Sequence, residues 1–194
     1  MDRQHTDREY ENELRRLRER VLMMGARVEE MLGSAMKAYV DHDIELARAT
    51  LDSDRQIDQL EMDIDELSLR MLARRQPVAS DLRFITTTLK LVTDLERIGD
   101  LGVNICERVV ELGHEPPLSA TGSVTRMAAV VREMLHHAHH AFVPGDAEKA
   151  QQVIERDGTV DSYYAQLFPE LVSVMMADPQ NVYKATRLQS IAKY

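Results

Sequence analysis

The stretch 76-QPVASDLRFITTTLKLVTDLERIGDLGVNICERV-109 predicts one long helix and, with it, the class of the fold. Pro77 ends the preceding helix, and Ser80 or Asp81 can cap the new one. Apolar residues then recur every three or four positions, which places them on one face of a helix. The residues of this face are Leu82, Ile85, Leu89, Val92 and Leu95. A stripe of this length must be buried against other helices, which predicts an all-α bundle.

The middle of this helix carries polar residues that work against its own stability. Glu96, Asp100 and Asn104 are four residues apart and therefore form one column on the helix surface. Gly99 and Gly102 each cost about 1 kcal/mol relative to alanine inside a helix. Residues that break local rules are expected at functional sites. We therefore expect the column to bind a ligand and the glycines to let a neighbouring acidic helix approach.

The same helical spacing predicts five further helices. The first covers about residues 6–41, and the second follows the break 41-DHD-43, with Asp43 as its N-cap, and continues to Arg75. After the linker 113-GHEPPL-118, a fourth helix contains Met127, Val130, Val131 and Met134 on its apolar face. The break 144-PGD-146 opens the fifth, and Asp178-Pro179 opens a sixth that continues to Tyr194.

Composition excludes several classes of function. The 194 residues carry a formal net charge of −9, so a nucleic-acid-binding protein, which needs a basic stripe, is disfavoured. A single cysteine, Cys106, allows no internal disulfide and suits a reducing compartment. We find no signal peptide, membrane span, phosphate-binding glycine loop or nucleophile motif, and expect a soluble cytoplasmic protein without enzymatic activity.

The second half of the chain resembles the first. Shifting 38-AYVDHDIELA-47 by 103 residues aligns it with 141-AFVPGDAEKA-150, and five of the ten residues are identical. The same shift pairs Asp54 with Asp157 and Asp58 with Asp161. We predict two tandem antiparallel three-helix bundles, residues 1–113 and 118–194, related by internal duplication. The last helix of the second bundle is expected to be incomplete, because a copy of Glu96 would fall just beyond Tyr194.

Acidic residues also form a column on the second predicted helix. These residues are Asp54, Asp58, Glu61 and Asp65. Two facing acidic columns favour a hard or borderline cation such as Mg, Mn or Fe. A solvent-exposed acidic face is the alternative for the second helix, and Arg97 is a candidate internal counter-ion for the third.

A histidine cluster, 133-EMLHHAHHAF-142, is the other concentration of potential ligands. Glu133 and His136 have the spacing of one half of a di-iron carboxylate site, but the second Glu-x-x-His that such a site needs is absent. His136 and His140 share a helix face and can hold Zn or Ni. The alternative is a histidine-rich surface or interface turn.

The third helix resembles the PhoU family of phosphate-uptake regulators. The resemblance is carried by 76-QPVASDLRF-84 and 95-LERIGDLGVNI-105, and the duplicated bundle extends it to essentially the whole chain. It implies a cytoplasmic, dimeric, all-α protein that binds Fe, Zn, Mn or Mg. It also implies an adaptor that contacts the ATPase subunit of the phosphate ABC transporter and a membrane sensor histidine kinase. Through these contacts the adaptor represses the phosphate-starvation response when phosphate is plentiful. The resemblance also implies which residues of this chain bind the metal. In the first half these are Glu96, Asp100, Asn104, Asp54, Asp58 and Glu61, and in the second half they are Asp157 and Asp161.

Two alternatives remain open beside the regulatory adaptor. One is a metal-dependent enzyme of the carboxylate-bundle type. The other is a structural helical scaffold whose acids are merely solvated.

Overall fold

The protein is an all-α bundle of six helices. The computed structural model describes residues 3–113, 115–116 and 118–194, with side chains from residue 8 onward. No strand occurs among these residues, and none of their helices is long and apolar enough to cross a membrane. The helices are α1 Arg3–Asp41, α2 Ile44–Arg75, α3 Ala79–Leu112, α4 Thr121–Phe142, α5 Ala147–Ala177 and α6 Val182–Lys193, with a 3-10 turn Pro179–Asn181 before α6.

Helices α1, α2 and α3 form the first three-helix unit. An ion pair of 2.9 Å between Arg20 and Asp63 joins α1 to α2, which run antiparallel. The Tyr10 hydroxyl donates to the Asp81 carboxylate at 3.1 Å and joins the start of α1 to the start of α3. The second unit is joined in the same way, since Arg156 on α5 lies 2.6 Å from the Glu133 carboxylate on α4.

The two units pack together mainly through α1 and α4. Tyr39 near the end of α1 lies 3.1 Å, hydroxyl to hydroxyl, from Thr121 at the start of α4. Toward the other end of the contact, Glu29 on α1 lies 3.1 Å from His136 on α4, so the two helices are antiparallel. A second joint is the 2.9 Å ion pair between Arg187 on α6 and Glu111 on α3.

Of the apolar stripes predicted for α3 and α4, four residues are buried and three are half-buried, and the other two are exposed. The buried residues are Ile85, Val92, Leu95 and Met127, and the half-buried ones are Leu89, Val130 and Met134. Leu82 and Val131 are 41% and 36% exposed. At the start of α3, Phe84 packs against the neighbouring helices by stacking on Phe142 at 5.4 Å, and Leu82, two residues earlier, is turned about 200° away. Val131 lines an apolar groove of about 400 Å³ between α3, α4, α5 and the end of α6. The core includes Leu17, Val21, Met24, Ile57, Ile64, Met71, Ile85, Val92, Leu95, Val124, Leu167, Leu171 and Leu188.

The turns that open α2 and α5 have the same geometry, which confirms the predicted repeat at this point. The Asp43 side chain accepts from the Leu46 amide at 2.9 Å, and the Asp146 side chain accepts from the Lys149 amide at 2.9 Å. The preceding residues, His42 and Gly145, both have positive φ, 54° and 75°. Both residues occupy equivalent positions under the shift of 103, so the duplication extends to the backbone.

The predicted cap of the third helix is wrong. The helix begins one residue before Ser80, after Val78, which makes no side-chain capping bond. Asp81 lies inside the first turn, where its carboxylate accepts the hydrogen bond from Tyr10. A carboxylate in this position also interacts favourably with the helix dipole, so Asp81 contributes to the start of α3 without capping it.

Candidate cation site between helices α2 and α3

The close approach of α2 to α3 occurs where the acidic columns lie. A Cβ atom added at Gly99 would be 3.2 Å from Cδ1 of Ile57 and 3.9 Å from Oδ1 of Asp54. Gly99 thus admits the side chains of the acidic helix, as predicted. Gly102 does not have this role, because a Cβ there would lie 3.2 Å from Cγ of Met31 on α1. The two glycines therefore serve two different helix contacts.

The carboxylate of Glu96 is influenced by both acidic columns. Its pKa is raised above the ordinary value, first because the carboxyl is partly removed from water. Repulsion from Asp100 on the same helix raises it further, followed by repulsion from Glu61, Asp58 and Asp54 on α2. The predicted ligands on α2 and α3 therefore lie close enough to repel one another.

Two acids on α2 are affected in the same way. Burial raises the pKa of Asp54, and repulsion from Asp58 and Asp100 raises it further. Burial also raises the pKa of Glu61, with added repulsion from Asp65, Asp58 and Asp100. The charged neighbours that raise these pKa values are all carboxylates. The cluster thus concentrates negative charge that nearby basic groups do not balance.

The predicted counter-ion is wrong. Arg97 is exposed and forms no ion pair in the part of the chain that the structure describes. Successive residues on a helix are separated by about 100°, so Arg97 lies off the face that carries Glu96. A cation for this cluster has to come from solution or from a partner.

The donor set suits a hard cation, although it is not gathered around one point. Carboxylate oxygens are the ligands preferred by Mg²⁺, Mn²⁺ and Fe ions. Among the described residues, no three carboxylates bring their oxygens within 4.8 Å of one another. Asn104 is half-buried one turn beyond Asp100. Cation binding would require these acidic side chains to converge.

The second half does not reproduce this arrangement. Asp157 and Asp161 are exposed on α5, and α6 contains no acidic residue that could face them. A Cβ at Gly158, between them, would meet no atom within 4 Å, so no helix covers this face of α5. A metal site that includes these two residues stays a prediction.

One member of the histidine cluster is more buried than the sequence suggests. Glu133 is held by Arg156, at 2.6 Å, rather than facing His136 as a ligand would. His139 is only 1% exposed and lies against Gly25 of α1, where a Cβ would approach its ring to 2.8 Å. His139 was not predicted to be buried, although it continues the helical face of Val124, Met127 and Leu135.

The fold and the acidic cluster together define a class of duplicated helical bundles with a carboxylate-lined surface. The family model described as "PhoU domain" matches residues 21–109 and 124–194, one stretch in each half. The predicted bundle boundaries themselves stay a prediction.

Relatives and solved structures identify the same family. The chain is 39% identical to a "Phosphate-specific transport system accessory protein PhoU homolog" of Aquifex aeolicus, covering 94% of this chain and 82% of the relative. It is 33% identical to "Phosphate-specific transport system accessory protein PhoU" of Escherichia coli K12, covering 92% and 74%. The crystal structure of PhoU from Pseudomonas aeruginosa superposes with a TM-score of 0.88 at 37% identity, covering 95% of this chain and 88% of that one. The chain belongs to the PhoU family, whose members are accessory and regulatory proteins of phosphate transport and not enzymes.

Proposed function

We propose that this protein is a cytoplasmic, cation-binding adaptor that represses the phosphate-starvation response when phosphate is plentiful. In this role it contacts the ATPase subunit of the phosphate ABC transporter and a membrane sensor histidine kinase. The observation that carries the proposal is the mutual repulsion of carboxylates on α2 and α3. Family membership supports the phosphate-transport context, and the net charge of −9 suits partners with basic surfaces.

A bound cation would change the balance of forces between α2 and α3. Without it, Glu96, Asp100 and the acids of α2 repel one another across the helix contact at Gly99. A cation replaces this repulsion by attraction to each carboxylate, which holds the two helices together and alters the charge that a partner meets. Cation occupancy and partner binding are then thermodynamically linked.

The first experiment measures metal content in protein purified without tag or chelator. Glu96→Gln/Asp100→Asn removes two carboxylates of the cluster and should abolish stoichiometric binding of Fe, Mn or Mg. The zinc content of each protein is measured separately. Asp157→Asn/Asp161→Asn removes the same charge from the predicted ligands of the second half, and it should retain the metal if the site lies between α2 and α3. Loss of metal only in the α5 variant would move the site to the second half, and no metal in any protein would refute the cation site.

The second experiment tests regulation in cells that lack the gene. Wild-type protein should restore repression of a phosphate-responsive reporter in high phosphate, whereas Glu96→Gln/Asp100→Asn should not, at equal protein abundance. Binding of the purified variants to the transporter ATPase subunit and to the kinase cytoplasmic domain identifies the contact that is lost. Full repression by the variant would favour the structural scaffold with solvated acids.

We propose the apolar groove as the contact surface of the homodimer that the family resemblance implies. Its walls include Ile98 and Leu101 of α3, Met134 of α4 and Ile191 of α6. A second copy that covers the groove would remove this apolar area from water, at about 25 cal/mol per Å². Sedimentation of the wild type and of Leu101→Glu tests this proposal, and a monomeric wild type at micromolar concentration would contradict it.

A further inference from the structure

Three histidines on one turn of α4 are placed close enough to share a ligand. One ring nitrogen each from His136, His139 and His140 lies within 4.8 Å of the others. The ring centroids of His136 and His140 are 4.3 Å apart, and those of His139 and His140 are also 4.3 Å apart. This is the only such set of His, Cys, Asp or Glu residues in the described ranges.

The hydrogen bonds of the three rings orient them for binding through Nε2. Nδ1 of His139 lies 2.8 Å from the Leu135 carbonyl oxygen, and Nδ1 of His140 lies 2.9 Å from the His136 carbonyl oxygen. Nδ1 of His136 lies 3.1 Å from a carboxylate oxygen of Glu29. These oxygens only accept hydrogen bonds, so each Nδ1 carries a proton and donates. In the neutral rings the lone pair is therefore on Nε2.

His139 has a buried ring nitrogen that is free to accept a ligand. Its Nε2 is buried and has no hydrogen-bond partner among the residues that the structure describes. A buried acceptor without a partner costs about 1–3 kcal/mol and is uncommon in folded proteins.

We propose that His136, His139 and His140 form a Zn²⁺ site at the contact between α4 and α1. Imidazole nitrogen is a preferred ligand of zinc, and three such ligands leave the fourth tetrahedral position open to water. Glu29 would orient His136 as the carboxylate of a carboxylate–histidine–zinc arrangement. Zn–N bonds of about 2.0–2.1 Å place tetrahedral nitrogens roughly 3.3 Å apart, so zinc binding would draw the three rings closer together than they are here.

The site differs in chemistry and position from the acidic cluster. It is made of nitrogen ligands on α4, whereas the cluster is made of oxygen ligands on α2 and α3. Because Glu29 and Gly25 belong to α1, zinc at this site would strengthen the joint between the two halves of the molecule. Binding at the two sites can therefore be measured separately.

The test is a Zn²⁺ titration of the metal-free full chain in competition with a chromophoric chelator. His136→Gln and His140→Gln should each weaken binding at least tenfold, and Glu29→Gln should weaken it by about tenfold or more. His137→Gln, on the same turn but outside the set, should bind as the wild type does. Glu96→Gln/Asp100→Asn should also bind as the wild type does, which separates this result from the acidic site.

A second measurement reports the ligands directly. Co²⁺ added to the metal-free chain should give the visible bands of a four-coordinate ion, and His139→Gln should abolish them while circular dichroism shows an intact fold. If His139→Gln unfolds the chain, His140→Gln provides the same measurement at an exposed position. Wild-type affinity in the His136 and His140 variants, or equal loss in His137→Gln, would overturn the proposal.

Discussion

Replacing Gly99 by alanine should destabilise the protein, against the usual preference for alanine in helices. Alanine gains about 1 kcal/mol over glycine inside a helix. At this position the new Cβ would lie 3.2 Å from Cδ1 and 3.5 Å from Cγ2 of Ile57. Ile57 is 2% exposed and packed in the core, so it can move little, and overpacking costs about 1–3 kcal/mol. The net loss should be about 1 kcal/mol.

Gly158→Ala is the matched control for this prediction. Gly158 is also in a helix interior, and a Cβ there would meet nothing within 4 Å. This variant should be stabilised by about 0.5–1 kcal/mol through the same helix preference. Urea unfolding of both metal-free variants, followed by circular dichroism, measures the difference, which we expect to be about 2 kcal/mol.

A double-mutant cycle locates the clash. Ile57→Val removes Cδ1 and should cost about 0.5–1.5 kcal/mol by itself. Combined with Gly99→Ala, it should destabilise by roughly 1 kcal/mol less than the two single changes together, because the atom that the new methyl group meets is gone. If Gly99→Ala stabilises the chain as much as Gly158→Ala does, the close approach of α2 and α3 is refuted.

Three further outcomes are expected. The pKa of Glu96 is raised in the folded state, so folding takes up protons at this group. The stability that Glu96 contributes to the metal-free protein should therefore fall as the pH rises from about 4 through the raised pKa. Urea unfolding in the presence of chelator measures this pH dependence, and Glu96→Gln should lack it. Asp43→Ala and Asp146→Ala should each cost about 1 kcal/mol, because each removes an equivalent cap, and unequal losses in denaturation would contradict the repeat. Burial raises the pKa of Cys106 to about 12, so a thiol reagent should label it only after unfolding, and rapid labelling of native protein would be inconsistent with the structure.

Local signals predicted most of the fold. Helix ends depend on residues within one turn, so Asp43 and Asp146 were recognisable as caps from the sequence alone. The acidic columns were also predictable, because residues four apart share a helix face and adjacent antiparallel helices come into contact. The electrostatic contact between Glu96 and the acids of α2 agrees with that expectation.

Features that depend on distant parts of the chain were not predictable. The partner of Gly102 is Met31, from a helix about seventy residues earlier, and no periodicity within α3 contains that information. The same holds for His139, which is buried because it meets Gly25 of α1.

The position of α1 has a consequence for how the protein is made. Helix α1 packs against α2 and α3 on one side and against α4 on another, and α4 begins eighty residues after α1 ends. At synthesis rates of about 5–20 residues per second, roughly 4 to 16 seconds pass on the ribosome between the end of α1 and the start of α4. During that interval the surface of α1 around Gly25 and Gly33 has no partner. The joint between the halves is therefore the last contact of α1 to form in a nascent chain, and its exposed surface gives chaperones a period in which to bind.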